Sequence, residues 1–423
     1  MKCSYRYSSS SDTAKYHQYI NQTIAQTRST IATCATDHSS PYIFASLPHD
    51  TEYHASYEHI ITTALSYAPD LLVIVGIGGS LMGTAALHEA LAHHRSQPIP
   101  CIYADTVDPI ITPQTLASLE SALRANKKCL VCIISKSGTT LETTVNAALI
   151  LDLLKRYHPT TYRDMIIAIT DATSSLAHFA QHHNIQCAHI PPLLGGRFSV
   201  FSAVGMIPLT VLGHDTTAFQ NGAYQAFSDS MNTPHDHAAA IAQFLFTAYQ
   251  EHKTIHDWFI FAPHYRSLGL WYRQLIAESL GKRSFHQSVG ITPTVSLGTE
   301  DLHSVAQLYL DGPDNETTTF IMPHCAHTFH TTIPTSELIK HMPHAATVSA
   351  VHIALYEGII DAYKTYNKSY MNVALSCSAF DIGYLMQTYM IATVYLADLF
   401  QINAFDQPAI TAYKQAAYRH LNA

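Results

Sequence analysis

Leu71-Leu72-Val73-Ile74-Val75-Gly76-Ile77-Gly78-Gly79-Ser80 is an unbroken apolar run that ends in glycines and a hydroxyl. A strand with one wet face alternates apolar and polar residues; a run apolar at every position is a strand buried on both faces. Cys129-Leu130-Val131-Cys132-Ile133-Ile134-Ser135 repeats the pattern, and residues 165–170 (MIIAIT) give a third strand. Between the last two, Leu149, Ile150, Leu153, Leu154 and Tyr157 recur at helical spacing. Strand, helix, strand in this rhythm predicts a doubly wound parallel sheet. Further along, residues 257–263, 292–299 and 317–323 repeat the strand signals, and the chain ends in two helical patterns. The polar segment 228–237 (SDSMNTPHDH) has a proline and no periodicity, which marks it as the expected linker. The expected organisation is an N-terminal segment (1–44), a first α/β unit (45–227), a second (228–400) and a C-terminal helical arm (401–423).

The chain has 423 residues, enough for two or three domains of roughly 100–200 residues each. Its 23 Lys and Arg against 31 Asp and Glu give a net charge of −8, and charged residues are only 13% of the chain. Nucleic acids and anionic membranes attract dense Lys/Arg patches, so neither is an expected partner. The N-terminus lacks the apolar core of a signal peptide. The longest uncharged apolar stretch, Ile382–Ala397, contains Gln and Thr and falls short of the roughly 20 residues that span a bilayer. The expectation is a cytoplasmic protein without membrane contact. Eight cysteines are scattered along the chain. Cys129 and Cys132 lie three apart on a strand and so point to opposite faces, which argues against a shared metal or disulfide. Free thiols are expected.

Gly76-Ile77-Gly78-Gly79-Ser80 follows a strand, where α/β sheets bind ligands beyond their carboxyl ends. The dinucleotide fingerprint needs glycine where Leu81 stands, and the P-loop needs Lys-Ser/Thr where Thr84-Ala85 stand. What remains is either a loop whose backbone N–H groups approach an anion or a tight turn. Ser135-Lys136-Ser137-Gly138-Thr139-Thr140 follows the second strand and opens a helix. Its four hydroxyls, glycine and lysine exceed what a helix cap requires and suit a phosphate.

Trp271, Gln274, Leu275 and Glu278 fall at i, i+3, i+4 and i+7, which turns an amide and a carboxylate inward with two large apolar residues. A carboxylate facing inward is paired or functional. Ile410, Lys414, Ala417 and Leu421 share one face of the last helix, where a lone lysine either snorkels or acts chemically. Arg197 stands alone in an apolar run, which more often marks an ordinary ion pair with an acid elsewhere than a functional cation. His303 is one of 28 histidines, and its spacing alone singles it out for nothing. His324, Cys325, His327 and His330 resemble a metal set, but no acid or cysteine pair accompanies them, and no metal is expected.

Together these segments resemble the glucose-6-phosphate isomerase family. Residues 75–83 (VGIGGSLMG) are similar to its first substrate loop, 134–143 (ISKSGTTLET) to its phosphate loop, and 195–205 (GGRFSVFSAVG) to its Gly-Gly-Arg stretch. Residues 271–282 resemble the helix with the catalytic Glu, 298–307 the His loop, and 402–414 the closing segment with the catalytic Lys. The resemblance implies two sugar-isomerase α/β domains, each a parallel sheet flanked by helices, with a C-terminal helical arm, in a homodimer. It implies Glu278 as the base that moves a proton between C2 and C1, His303 and Lys414 in ring opening and closing, and Arg197 beside the enediolate. Gly79, Ser80, Ser135, Lys136, Ser137 and Thr140 would hold the phosphate, and Gln274 and Gln407 the sugar. The His is shared across the dimer in the family, and neither metal nor nucleotide is required. Two rivals on the same fold are a non-catalytic phosphosugar-binding protein and an isomerase of another phosphosugar. The chain departs from the family at Ala404, Ala409, Thr411 and near Met390, which bears on how the last helix is oriented.

Overall fold

A computed structural model of the chain describes residues 2–6, 14–92, 98–232, 236–285, 287–323, 331–334, 336–339 and 346–422. Its strands are β1 (Lys2–Arg6), β2 (Leu71–Val75), β3 (Cys101–Ala104), β4 (Cys129–Ile134), β5 (Ile166–Thr170), β6 (Gln186–His189), β7 (Ile255–Ile260), β8 (Lys282–Arg283), β9 (Ser288–Val289), β10 (Thr292–Leu297), β11 (Glu316–Pro323) and β12 (Tyr370–Leu375). Its α-helices are α1 (Ala14–Cys34), α2 (Thr51–Tyr67), α3 (Met82–Leu91), α4 (Ile111–Arg124), α5 (Leu141–Tyr157), α6 (Ser175–His182), α7 (Ala203–Val211), α8 (Thr216–Met231), α9 (His237–Gln250), α10 (Arg266–Leu280), α11 (Ala306–Asp311), α12 (Val348–Thr365), α13 (Ala379–Leu399) and α14 (Ile410–Leu421).

The expected α/β architecture is present. One sheet, in the order β3-β2-β4-β5-β6, is parallel throughout. The other, β1-β12-β11-β7-β10, is parallel except at β1, which runs antiparallel along the edge. In both, the first parallel strand lies between the second and the third, so the winding reverses at β2/β4 and again at β7/β11. A small hairpin, β8-β9, stands apart.

Every position of β2, β4 and β5 is buried, as the continuous apolar runs require. Cys129 belongs to the core on the α4/α5 side of the first sheet and Cys132 to the core on its other side, which is the alternation expected of a strand. That second core is shared: Leu72, Ile74 and Leu130 of the first sheet and Trp258, Ile260 and Met371 of the second belong to one continuous cluster with helix α13. α13 is buried around nearly its whole circumference, so the apolar stretch 382–397 is the central core helix. No helix among the described residues is long and apolar enough to cross a membrane. The outer face of the second sheet carries its own core of Phe259, Phe261 and Phe320 under α11 and α12.

Three expectations need correction. Residues 228–231 of the expected linker are the last turn of α8, with Ser230 buried, and Asp236 caps α9 by accepting the Ala239 N–H at 2.8 Å. Helix caps use the same polar residues as linkers, so composition does not separate the two. Cys34, Cys101, Cys129, Cys132 and Cys187 are free thiols, but Cys377 is disulfide-bonded. It lies beyond the end of β12, outside the reach of the strand-alternation argument. Finally, α14 has no buried residue and Leu421 is 65% exposed, so its apolar stripe is not a packing face. The His324, Cys325, His327 and His330 cluster lies outside the described residues.

Candidate active site

The reversal at β2/β4 separates the outgoing loops of the first sheet and leaves a crevice at their carboxyl ends. A cavity of ≈ 650 Å³ opens there. Gly79 and Ser80 line it from the loop after β2, and Lys136, Ser137 and Thr140 from the loop after β4. Arg197, Gln274, Glu278, Gln407 and Lys414 complete its lining among the expected residues.

The loop after β4 is shaped from within. Gly138 has φ +68°, and a Cβ there would stand 2.6 Å from Leu176 N. Ser135 is buried, accepts the Gly138 N–H at 3.1 Å and donates to Thr140 Oγ1 at 3.3 Å. It therefore holds the turn and does not line the cavity. Thr140 stands at the N-cap of α5 without a side-chain capping bond, which leaves the first N–H groups of that helix open toward the cavity. Those donors, the helix dipole and the Lys136 ammonium make this end attractive to an anion. Burial pulls the pKa of Lys136 down, opposed by Asp171.

The opposite wall comes from α10. Trp271 and Leu275 are buried, while Gln274 and Glu278, on the same side of the helix, reach its margin and the cavity. Gln274 Nε2 donates to Glu278 Oε1 at 3.2 Å, and Arg197 Nη1 donates to Glu278 Oε2 at 3.2 Å. Gln274 Oε1 is buried without a partner. Arg197 is itself buried: Nε donates to Ser279 Oγ at 2.7 Å, Nη1 also to Gln407 Oε1 at 2.9 Å, and Nη2 to the carbonyls of Ala404 and Asp406. A guanidinium has five N–H groups, and all five are engaged inside the protein. Burial lowers the Arg197 pKa and Glu278 opposes the shift. Lys414 reaches the cavity from the exposed helix α14, whose Tyr418 hydroxyl donates to Thr139 O at 3.0 Å.

His303 is not part of this cavity. It is exposed and follows the short turn Glu300–Leu302 after β10, the edge strand of the second sheet. Conversely, the sequence reading missed Asp171, Thr173 and Ser174, which line the cavity from the loop after β5. Their signal was present: residues 171–175 (DATSS) put hydroxyls behind a buried strand as residues 135–140 do. A second cavity of ≈ 850 Å³ adjoins the first through Glu278, Gln407 and Ile410 and is floored by the β8-β9 hairpin.

Two parallel sheets wound alike around shared helices, with an anion-attracting strand end facing a carboxylate, define a double α/β protein of the sugar-isomerase class. Residues 66–422 match the family model described as phosphoglucose isomerase, and the chain belongs to that family. It is 28% identical over 390 residues to the glucose-6-phosphate isomerase of Campylobacter jejuni, covering 87% of this chain and 92% of that one. It is 30% identical over 357 residues to an enzyme of the same name from Thermus thermophilus, covering 82% and 83%. Among solved structures, a hypothetical protein from Thermus thermophilus matches with a TM-score of 0.88 and 26% identity over 100% of both chains. A glucose-6-phosphate isomerase from Chlamydia trachomatis shares the fold at 18% identity, with a TM-score of 0.77 over 99% of this chain and 88% of that one.

Proposed function

We propose that the protein interconverts glucose 6-phosphate and fructose 6-phosphate, as its family membership indicates, in the cytoplasm and as a step of glycolysis and gluconeogenesis. The observation that carries the reading is one cavity with an uncapped helix N-terminus and Lys136 at one end and a doubly held carboxylate, Glu278, at the other. The phosphate would rest on Ser80, Lys136, Ser137, Thr140 and the first N–H groups of α5, with Gly79 admitting the backbone. Gln274 Oε1 would accept from a sugar hydroxyl, and Gln407 would contact the sugar as well.

With the ring opened, Glu278 takes the proton from C2 as the C1 carbonyl becomes an enediolate oxygen; the O2 hydroxyl proton passes to O1, and Glu278 returns its proton to C1, leaving the C2 carbonyl of the ketose. The step needs a carboxylate base within reach of the C2 proton, the role the cavity gives Glu278. Arg197 contributes charge: its N–H groups are already bound, so it stands beside the developing anion without reorganising. Lys414 and a His303 supplied by a second subunit would open and close the ring. An exposed His303 outside the cavity suits that division, and a homodimer is the assembly it implies.

A coupled assay with either phosphosugar tests the reading, with Glu278→Gln lowering kcat by ~10²–10⁴-fold. No turnover at micromolar protein overturns it. Mixing inactive Glu278→Gln and His303→Gln chains tests the shared site: hybrid dimers regain activity if His303 crosses the interface, and no recovery refutes that.

A further inference from the structure

Between α13 and α14 the chain runs through Asn403–Gln407 without regular secondary structure, yet this segment sets Gln407 beside Arg197 and leads to Lys414. Two cations grip it. Arg197 holds the carbonyls of Ala404 and Asp406 from the cavity side. Lys282, just past the end of α10, holds it from the other side: Nζ donates to Asn403 O at 2.6 Å and pairs with the Asp406 carboxylate at 3.1 Å. Its third contact is Ser279 O at 3.2 Å, so the three N–H groups of the ammonium are all used. The Lys282 side chain is only 7% exposed. Ser279 directly follows Glu278, and its hydroxyl is the one that takes Arg197 Nε. The last turn of α10 is thereby tied to the closing segment by both cations.

Little else fixes the segment's far end. Phe405 packs on Tyr42 and Phe198 at centroid distances of 5.1 and 5.3 Å, which anchors its middle. α14 has no buried side chain and meets the body through the Tyr418–Thr139 bond, so the path from Asn403 to Pro408 shares in setting where Lys414 stands.

Lys282 lines the adjoining ≈ 850 Å³ cavity and not the ≈ 650 Å³ substrate cavity, so it acts on the reaction only through other groups. We propose that Lys282 is a positioning residue: by tying Ser279 to Asn403 and Asp406 it sets Gln407 and Lys414 in register with Glu278. The inference rests on the reading of Glu278 as the base.

The test compares Lys282→Met, Asp406→Asn and the double variant with the unsubstituted dimer. Turnover by the unsubstituted enzyme checks the reading of the site; the variants check the inference. Lys282→Met is expected to lower kcat by ~10-fold or more, a fraction of an ångström of misplacement being enough. The Kd for inorganic phosphate should stay within about threefold, since the phosphate end is untouched. Asp406→Asn should lower kcat in the same sense, and the double variant should be no worse than Lys282→Met alone. Unchanged kcat in folded Lys282→Met overturns the proposal, as does a parallel loss of kcat and phosphate affinity. Should Lys282→Met fail to fold, Asp406→Asn decides: its half-exposed side chain is removed from the core, and an unchanged kcat there refutes the tie.

Discussion

Gly79→Ala asks whether the close approach of two loops builds the site. A Cβ on Gly79 would stand 2.2 Å from the carbonyl carbon of Gly196, 2.3 Å from its oxygen and 2.6 Å from Arg197 N. These are backbone atoms with no rotamer to yield. Carbon atoms in contact prefer about 3.5 Å, so the loop after β2 and the loop carrying Arg197 must part by about 1 Å. Arg197 binds Glu278, Gln407 and the closing segment, so that displacement passes directly to the base. Misplacement of this size costs about 10²-fold in rate, while overpacking of this kind destabilises by about 1–3 kcal/mol. Initial rates from the coupled assay, with melting curves for each variant, measure both. Gly196→Ala is the internal control: the nearest atom to its added Cβ is Gly79 Cα at 3.8 Å, an ordinary contact. Gly196→Ala should therefore keep near-normal activity. If Gly79→Ala retained kcat/KM within about threefold of the unsubstituted enzyme, the argument from loop contact would be refuted.

Lys136→Met should raise KM by ~10–100-fold with kcat little changed, because a charged hydrogen bond of about 1.5–3 kcal/mol is lost equally from substrate and transition state; a selective fall in kcat would contradict this. Glu316 and Asp257 are buried on the outer face of the second sheet, each with one carboxyl oxygen lacking a partner. Burial, then the neighbouring Asp257, pushes Glu316 up to about 8, and burial pushes Asp257 up to about 6. Both are acids raised by folding, so the unfolded chain ionises first and stability falls as pH rises from about 3.8, the ordinary value of Asp, to about 8, then levels off. Glu316→Gln should flatten the decline of Tm across that window; an unchanged slope would show that the pair does not carry it.

The parts of the fold that could be read in advance were those where burial is symmetric. β2, β4 and β5 have apolar neighbours on both faces, and a continuous run records that directly. β3 and β6 are edge strands with partly exposed residues, and β12 contains Asn372, so their runs are broken and their signal weak. β1 gains its place by pairing with a strand hundreds of residues away, which no local pattern encodes. In the site, loops that follow recognisable strands were legible as units, and the helical stripe of Gln274 and Glu278 gave the opposite wall. The five bonds of Arg197 were not, because they converge from segments near residues 279 and 404–407 that only the fold assembles. Ser135 shows the converse: residue type placed it in the right loop, but only φ/ψ and contact decide which hydroxyls face out.

The shared core has a mechanical meaning. Leu72 and Ile74 of one sheet and Trp258 and Met371 of the other lie in one cluster with α13 between them. A hinge that swung the two sheets apart would expose that interior at about 25 cal/mol per Å², so even a few hundred Å² would cost several kcal/mol per opening. Substrate traffic is therefore left to the rim, where α14 rests on the body without one buried side chain. The two sheets form one body with an exposed rim, and turnover should respond to contacts at α14 rather than to any change between the sheets.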